Sequence, residues 1–146
     1  MTRILIRCDA SKSIGSGHVF RCRTLARELQ SRGAEVIFIC RRQPNDLIDL
    51  LEQEFSVLSL PSINLISVFD PYGVLLFGRD LYAAWLGCDE EEDACQVLQL
   101  LRQSGIDFCD WLVVDHYGLD VTWEQQVLKG LSNENKRRTQ LFVIDD

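Results

Sequence analysis

Residues 3–20 read RILIRCDASKSIGSGHVF, and this stretch joins a short apolar run to a helical pattern through a loop with two glycines. The apolar run at 3–7 is typical of a strand that is buried on both faces of a parallel sheet. After the loop, apolar residues three and four apart predict a helix over 18–32, which Gly33 ends. The stretch therefore predicts a strand, a glycine loop and a helix in succession.

The same alternation continues along the chain. We predict further strands at 35–40, 55–60, 111–115 and 140–144, and further helices at 45–54, 89–102 and 121–131. Pro44 lies near the start of the second helix, and Asp89 is predicted to cap the third, with Glu92 completing a capping box. Strands that alternate with helices imply right-handed crossovers and a parallel sheet. The chain is therefore predicted to be one Rossmann-like α/β domain over residues 1–146.

Two segments do not fit this alternation. Residues 133–138 are polar and basic, which predicts a solvated turn. Residues 63–86 are rich in apolar and aromatic side chains but are interrupted by proline and glycine. This second segment is interpreted either as a packed excursion of the core or as a mobile cover, and burial of apolar side chains favours the core.

Length and composition exclude several classes of protein. The chain has 146 residues, of which 47% are hydrophobic and 25% charged, values typical of one globular domain and not of a disordered chain. No apolar run approaches the length of a membrane span or of a signal-peptide core, so we expect a cytoplasmic protein. The six cysteines form no CxxC pair, and we interpret them as reduced core residues, with no disulfide framework and no metal site.

The charge is distributed unevenly. A net charge of −7 argues against nonspecific nucleic-acid binding. Residues 1–46 hold nine basic and four acidic side chains, whereas residues 47–146 hold six and eighteen. A basic first third in an acidic chain indicates either an anion-binding region or a chance distribution of solvated surface charge.

The glycine loop is placed where α/β proteins bind ligands. Gly15 and Gly17 let the backbone approach a bound group closely, and the amides at the start of the next helix favour an anion. The dinucleotide fingerprint requires a third glycine where this chain has Phe20, and no phosphate-loop lysine follows. An ordinary strand-to-helix turn is the alternative interpretation.

His18 stands in the first turn of the predicted helix. The positive end of a helix disfavours imidazolium, so a neutral ring that can accept a proton is expected there. A general base is one interpretation, and a capping or packing histidine is the other.

A second group of polar residues follows the strand at 111–115. Asp115, His116 and Tyr117 leave it together at the same predicted edge, which is more than a turn requires. Asp145 and Asp146 end a neighbouring strand there and could orient a base or a sugar hydroxyl. In the alternative interpretation, Asp115 caps a turn and Tyr117 packs at the surface.

These segments together resemble a known family. The matching motifs are Arg7-Cys8-Asp9, Ile14-Gly15-Ser16-Gly17-His18, Arg21-Cys22, Phe38-Ile39-Cys40-Arg41, Trp85-Leu86-Gly87, Glu91-Glu92-Asp93-Ala94, Val113-Val114-Asp115-His116-Tyr117 and Val143-Ile144-Asp145-Asp146. In this order they resemble the amino-terminal half of the bacterial UDP-2,4-diacetamido-2,4,6-trideoxy-β-L-altropyranose hydrolases. That family serves pseudaminic and related nonulosonic acid biosynthesis and includes spore-coat proteins of the SpsG type.

The resemblance implies a two-domain glycosyltransferase-B (GT-B) fold, similar to MurG, and hydrolysis of a UDP-activated amino sugar to UDP and the free sugar. It implies that His18 activates water to attack the anomeric carbon with inversion, and that Tyr117 lies in the sugar site. No cofactor and no metal are implied. The substrate-binding positions implied with these two are Gly15, Gly17, Asp9, Arg21, Asp115 and His116.

The family's carboxy-terminal nucleotide-binding domain has no counterpart within residues 1–146. We therefore expect this chain alone to be inactive or nearly so, and a separate domain or chain to be its partner. Three alternatives stay open: a GT-B glycosyltransferase domain with a UDP-sugar donor, a non-catalytic docking module that uses residues 63–86, and an NAD(P)-binding domain in which Arg41 and Arg42 hold a 2′-phosphate.

Overall fold

Five parallel strands form one sheet in the order β3-β2-β1-β4-β5. This architecture is that of a computed structural model, which describes residues 1–62, 85–131 and 137–144. The strands are β1 (Arg3–Cys8), β2 (Glu35–Arg41), β3 (Ser56–Leu60), β4 (Trp111–Asp115) and β5 (Gln140–Val143). The helices are α1 (Gly17–Ser31), α2 (Ile48–Glu52), α3 (Glu90–Gln103) and α4 (Val121–Gly130). The prediction of a Rossmann-like α/β fold is confirmed at this general level.

The helices cover the sheet from two sides. Helices α1 and α2 pack on one face, here called the α1 face, and α3 and α4 pack on the other, the α3 face. Successive strand residues alternate between the faces, so Ile4 and Ile6 lie in the core with α1 while Leu5 lies in the core with α3. This alternation decides which polar side chains at the strand ends can meet.

Most helix ends lie within a residue or two of their predicted positions. After α1, Gly33 has a φ of +90°, a left-handed conformation that suits glycine, and ends the helix as predicted. At the start of α3, the Asp89 side chain accepts a hydrogen bond of 2.8 Å from the Glu92 amide, which confirms the predicted cap. The capping box is only half present, because the Glu92 carboxylate accepts from Gln96 at 3.4 Å.

The second predicted helix, 45–54, is wrong at its beginning. Helix α2 spans only Ile48–Glu52, because Asn45 has a φ of +62° and turns the chain before it. The Asp46 carboxylate accepts hydrogen bonds from the amides of Gln43 (2.9 Å) and Ile48 (3.1 Å). Asp46 thus stabilises a turn ahead of the helix, and Pro44 belongs to that turn.

A buried ion network crosses the α3 face. Arg7 of β1 and Arg41 of β2 both point to this face and are 0% and 1% exposed. Asp93 of α3, also fully buried, accepts hydrogen bonds from Arg7 Nη2 (2.7 Å), Arg41 Nη2 (2.8 Å) and Trp123 Nε1 (2.8 Å). Two strands and both helices of this face are therefore joined through one carboxylate.

This network explains part of the excess of basic residues in the first third of the chain. Arg7 and Arg41 belong to the basic first third of the chain, yet they are neither surface charges nor open to an external anion. Each pairs with an aspartate inside the core. A buried charge of this kind is tolerated only when it is paired and hydrogen-bonded.

All six cysteines are free thiols. Five of them are buried, as predicted for core residues, whereas Cys95 is exposed on α3 and departs from that prediction. Burial raises the pKa of Cys109 to about 12 and that of Cys88 to about 11, so both stay protonated at neutral pH.

Beside β5 the α1 face carries an apolar groove of about 220 Å³. Two aromatic side chains of this groove are prominent at the surface, with Trp111 40% and Phe142 49% exposed. The residues that line the groove are Ile4, Leu25, Leu29, Trp111, Val113 and Phe142. These side chains are all apolar, so the groove offers no acid, base or nucleophile.

Three sequence predictions fall outside the described residues, in whole or in large part. They are the interpretation of 63–86, of which only Trp85 and Leu86 are described, the turn at 133–138, of which only Arg137 and Arg138 are described, and the roles of Asp145 and Asp146.

We predict that Asp93→Ala lowers the free energy of unfolding by about 3–5 kcal/mol, because it leaves two buried guanidinium groups without their shared carboxylate. Asp93→Asn, which keeps an acceptor oxygen but not the charge, should cost less. The measurement is urea denaturation at neutral pH. Glu91→Ala, an exposed change on the same helix, is the control and should stay within about 0.5 kcal/mol of the wild type. A loss below about 1 kcal/mol for Asp93→Ala would contradict this account of the network.

Candidate active site

Two loops meet at the carboxyl edge of the sheet. One follows β1 and the other follows β4, and these strands are neighbours in which Cys8 pairs with Asp115. Open parallel sheets bind ligands at this edge. The glycine loop and the Asp-His-Tyr segment, which are about a hundred residues apart in the sequence, are therefore adjacent in space.

The glycine loop makes a tight turn before α1. Gly15 has a φ of +82°, and its amide donates to the Ser11 carbonyl at 2.8 Å. Gly17 begins α1, and Ser16 at the N-cap position makes no side-chain hydrogen bond to the helix. The first turn also contains no acidic residue. The positive end of α1 is thus left without a side-chain cap at the carboxyl edge, which favours an anion there.

The Asp115 carboxylate is the centre of a polar cluster. His18 Nδ1 lies 2.5 Å from Oδ1, and Arg21 donates to the same carboxylate from Nε (2.5 Å) and Nη2 (2.6 Å). The Cys22 thiol also donates to Oδ2 at 3.4 Å. Arg21 and Cys22 stand three and four residues after His18 along α1, so one side of the helix presents all three side chains to Asp115.

The protonation states follow from this geometry. Burial raises the pKa of Asp115, but hydrogen bonds from Arg21 and His18 outweigh it and lower the pKa to about 2. Asp115 is therefore a carboxylate and can only accept hydrogen bonds. His18 Nδ1 must then carry the proton that it shares with Asp115, so the neutral ring has its free lone pair on Nε2. Arg21 Nη2, 3.3 Å from the same Nδ1, cannot donate to a nitrogen that is already protonated.

Tyr117 confines the other side of the histidine. Its ring contacts His18 edge to face, with centroids 4.9 Å apart and planes at 85°. The His18 side chain is only 11% exposed. The His18 ring is thus held between the Asp115 carboxylate and the Tyr117 ring. The structure brings together Asp115, Tyr117, His18 and Arg21 from the predicted set, beside the glycine loop.

Asp9 and His116 lie elsewhere. Both are buried, at 1% and 6% exposure, and His116 Nε2 is 3.1 Å from Asp9 Oδ2. Because successive residues at a strand end point to opposite faces, Asp115 turns toward α1 while His116 turns away from it. Asp9 and His116 therefore lie on the α3 side of the sheet, away from the Asp115 cluster. That Asp9 and His116 contact substrate stays a prediction.

The polar roles of Cys22 and Asp93 were not predicted from the sequence. Cys22 was interpreted only as a core residue, although its position one residue after Arg21 brings it to the same carboxylate. Asp93 was named only as part of the motif Glu91-Glu92-Asp93-Ala94 and was given no role. One signal could have identified it, since Asp93 stands four and eight residues before Val97 and Leu101 and so falls on the buried stripe of α3.

The described residues contain no group of three or more His, Cys, Asp or Glu side chains arranged to hold a metal ion. Within the same ranges, no helix has the length and apolar character needed to cross a membrane.

Comparison with known proteins does not identify the family. No protein-family model matches the chain, and no curated protein matches it.

We predict that Asp115 stabilises the folded protein at neutral pH and loses that effect in acid. Its pKa is about 2 in the folded chain, below the value of about 3.9 in an unfolded chain. The stabilisation, about 2–3 kcal/mol at most, is then complete above about pH 5 and disappears as the pH falls toward 2. Denaturation of wild type and Asp115→Asn between pH 7 and pH 3 measures the effect.

The difference in unfolding free energy between these two proteins should shrink as the pH falls. Asp107→Asn, an exposed change in the loop after α3, is the control and should behave as the wild type does. A difference that is the same at pH 7 and pH 3 would contradict the account of Asp115 as an ionised, paired carboxylate.

Proposed function

We propose that this chain is the amino-terminal catalytic half of a UDP-sugar hydrolase, which releases UDP and a free 2,4-diacetamido-2,4,6-trideoxy sugar. The observation that supports this most is the His18–Asp115 pair at the uncapped start of α1. It combines an oriented base with a helix end that favours an anion, and hydrolysis of a sugar diphosphate needs both. The family itself is proposed from the motifs quoted above.

The proposed reaction is a single displacement by water. His18 Nε2 takes a proton from water as the water oxygen attacks the anomeric carbon. The bond from that carbon to the diphosphate oxygen breaks, and UDP leaves with the bonding electrons. Asp115 stabilises the imidazolium that forms, because its carboxylate accepts the hydrogen bond from Nδ1–H and that proton stays on His18 throughout. The amides at the start of α1 can stabilise charge that develops on the leaving diphosphate.

The other predicted parts of the enzyme belong to this proposal. The Rossmann-like domain would be the amino-terminal half of a GT-B fold, and a second domain, in the same polypeptide or in another, would supply most contacts to UDP. Tyr117 would contact the sugar beside His18. Gly15, Gly17 and Arg21 surround the same edge. We expect the reaction to take place in the cytoplasm.

A GT-B glycosyltransferase is the nearest alternative, because His18 could deprotonate an acceptor hydroxyl in place of water. The NAD(P) alternative is less well supported. It requires Arg41 and Arg42 to face a 2′-phosphate, but Arg41 is 1% exposed and paired with Asp93. Arg42 pairs with Asp46 (3.0 Å) and Asp49 (2.9 Å).

The direct test is UDP release from the UDP-diacetamido sugar. The chain is assayed alone and after mixing with a separately expressed carboxy-terminal nucleotide-binding half. We expect activity in the mixture, and little or none from the chain alone. His18→Ala should lower kcat by about 10²–10⁴-fold, because the general base is lost, with UDP binding retained.

Gln30→Ala, an exposed change near the other end of α1, is the control and should leave kcat unchanged. Full activity of His18→Ala would contradict the proposed mechanism. A folded mixture that binds UDP but releases none from the substrate would contradict the hydrolase. Transfer to a sugar acceptor in preference to water would favour the glycosyltransferase.

A further inference from the structure

We propose that Asp9 and His116 are positioning residues, which hold the segment after β4 so that Tyr117 stays against the His18 ring. This inference rests on the proposed function, in which His18 is the base. It gives the two buried residues a role different from substrate contact. Asp9 is the fixed end of the pair.

Asp9 is held by the core on one side. Its Oδ1 accepts hydrogen bonds from Arg7 Nη1 at 2.6 Å and from the Arg41 amide at 2.7 Å. Burial alone would raise the pKa of Asp9, but the Arg7 guanidinium outweighs it and holds the pKa well below its usual range. Asp9 is therefore an ionised carboxylate with one oxygen anchored and Oδ2 turned away from the anchor.

His116 faces that second oxygen. Its Nδ1 accepts a hydrogen bond of 2.9 Å from the Gly118 amide, so a neutral ring carries its proton on Nε2. Nε2 lies 3.1 Å from Asp9 Oδ2, and the side chains are 2% and 0% exposed. The N–H direction is not aligned with the oxygen, and neither atom has another hydrogen-bond partner among the described residues.

These two atoms match each other chemically. His116 Nε2 is a donor and Asp9 Oδ2 is an anionic acceptor. A small rotation of the His116 ring would align the N–H with the oxygen. A buried polar atom without a partner is destabilising, which favours a hydrogen bond between the two atoms.

The link to the base runs through the next residue. Tyr117 directly follows His116, and its ring packs against the His18 ring with the two centroids 4.9 Å apart. The backbone at 116–118 is itself tied to the His116 ring by the Gly118 hydrogen bond. A displacement of His116 therefore moves Tyr117 and loosens one side of His18.

Two substitutions separate the contacts of His116. His116→Asn keeps an acceptor near the Nδ1 position for Gly118, but it is too short to reach Asp9. His116→Gln places an amide N–H near the Nε2 position. In the UDP-release assay we expect His116→Asn to lower kcat about tenfold to a hundredfold, with KM within about twofold, and His116→Gln to recover part of the loss.

A second measurement does not depend on activity. The chain has two histidines, so the ring signals in a proton NMR spectrum are few. We expect the His18 ring signals to shift in His116→Asn, because the Tyr117 ring moves relative to His18. They should lie near their wild-type positions in His116→Gln. Val121→Ala, an exposed change in the next helix, is the control for both measurements.

The outcomes decide between the two proposals. Absence of UDP release by the wild-type mixture would reject the hydrolase, and the NMR measurement would still decide the positioning role. A His116→Asn protein that loses only stability, with His18 signals and kcat unchanged, would overturn that role. Asp9→Asn supplies a second test. Additive effects of Asp9→Asn and His116→Asn on kcat and on the His18 signals would show that the residues do not act as a pair, and would also overturn it.

Discussion

Asp115 ends β4 as a fully buried carboxylate, and Arg21 and His18 of α1 supply the hydrogen bonds that keep it ionised there. Removal of one partner from a buried charge costs several kcal/mol, so the three side chains constrain one another. The same contact joins the start of α1 to the end of β4. It also selects which nitrogen of His18 carries a proton, and the proposed chemistry depends on that selection.

A second buried carboxylate, Asp93, joins strands to helices on the opposite face of the sheet. It gathers Arg7 and Arg41 against α3, and Arg7 in turn anchors Asp9. Asp9 faces His116, which stands next to Asp115 in the chain but points to the other side of the sheet. The pair of Asp9 and His116 is therefore the place where the core network of the α3 face meets the polar cluster of the α1 face.

The parts of the fold that depend on local periodicity could be predicted from the sequence. Five strands and the longer helices follow from apolar spacing, and Gly33 and Asp89 follow from the chemistry of helix ends. Helix α2 was predicted too long because Asn45 and Asp46 form a turn where a proline suggested a helix start. The pairing of Arg7 with Asp93 could not be predicted from the sequence, because the two residues are 86 positions apart and no local pattern joins them.

The candidate site was predictable in position but not in arrangement. Parallel strands bring their carboxyl ends to one edge, which is why His18 and Asp115 were expected near each other. Their direct contact depends on the rotation of α1 about its axis. That rotation is set by packing of buried residues such as Val19 and Ala26 against the sheet. The two-residue period of a strand already implies that His116 and Asp115 point to opposite faces, although the two were predicted to act together.

The proposed chemistry depends most directly on which ring nitrogen of His18 carries the proton. A long-range proton–nitrogen correlation spectrum of the histidine rings, recorded near pH 8 on the wild-type chain, identifies the protonated nitrogen of His18. The account predicts that Nδ1 carries the proton and that Nε2 is free, and that Asp115→Asn weakens this preference. A neutral His18 ring protonated on Nε2 would contradict it, because the nitrogen proposed to accept a proton from water would then already hold one.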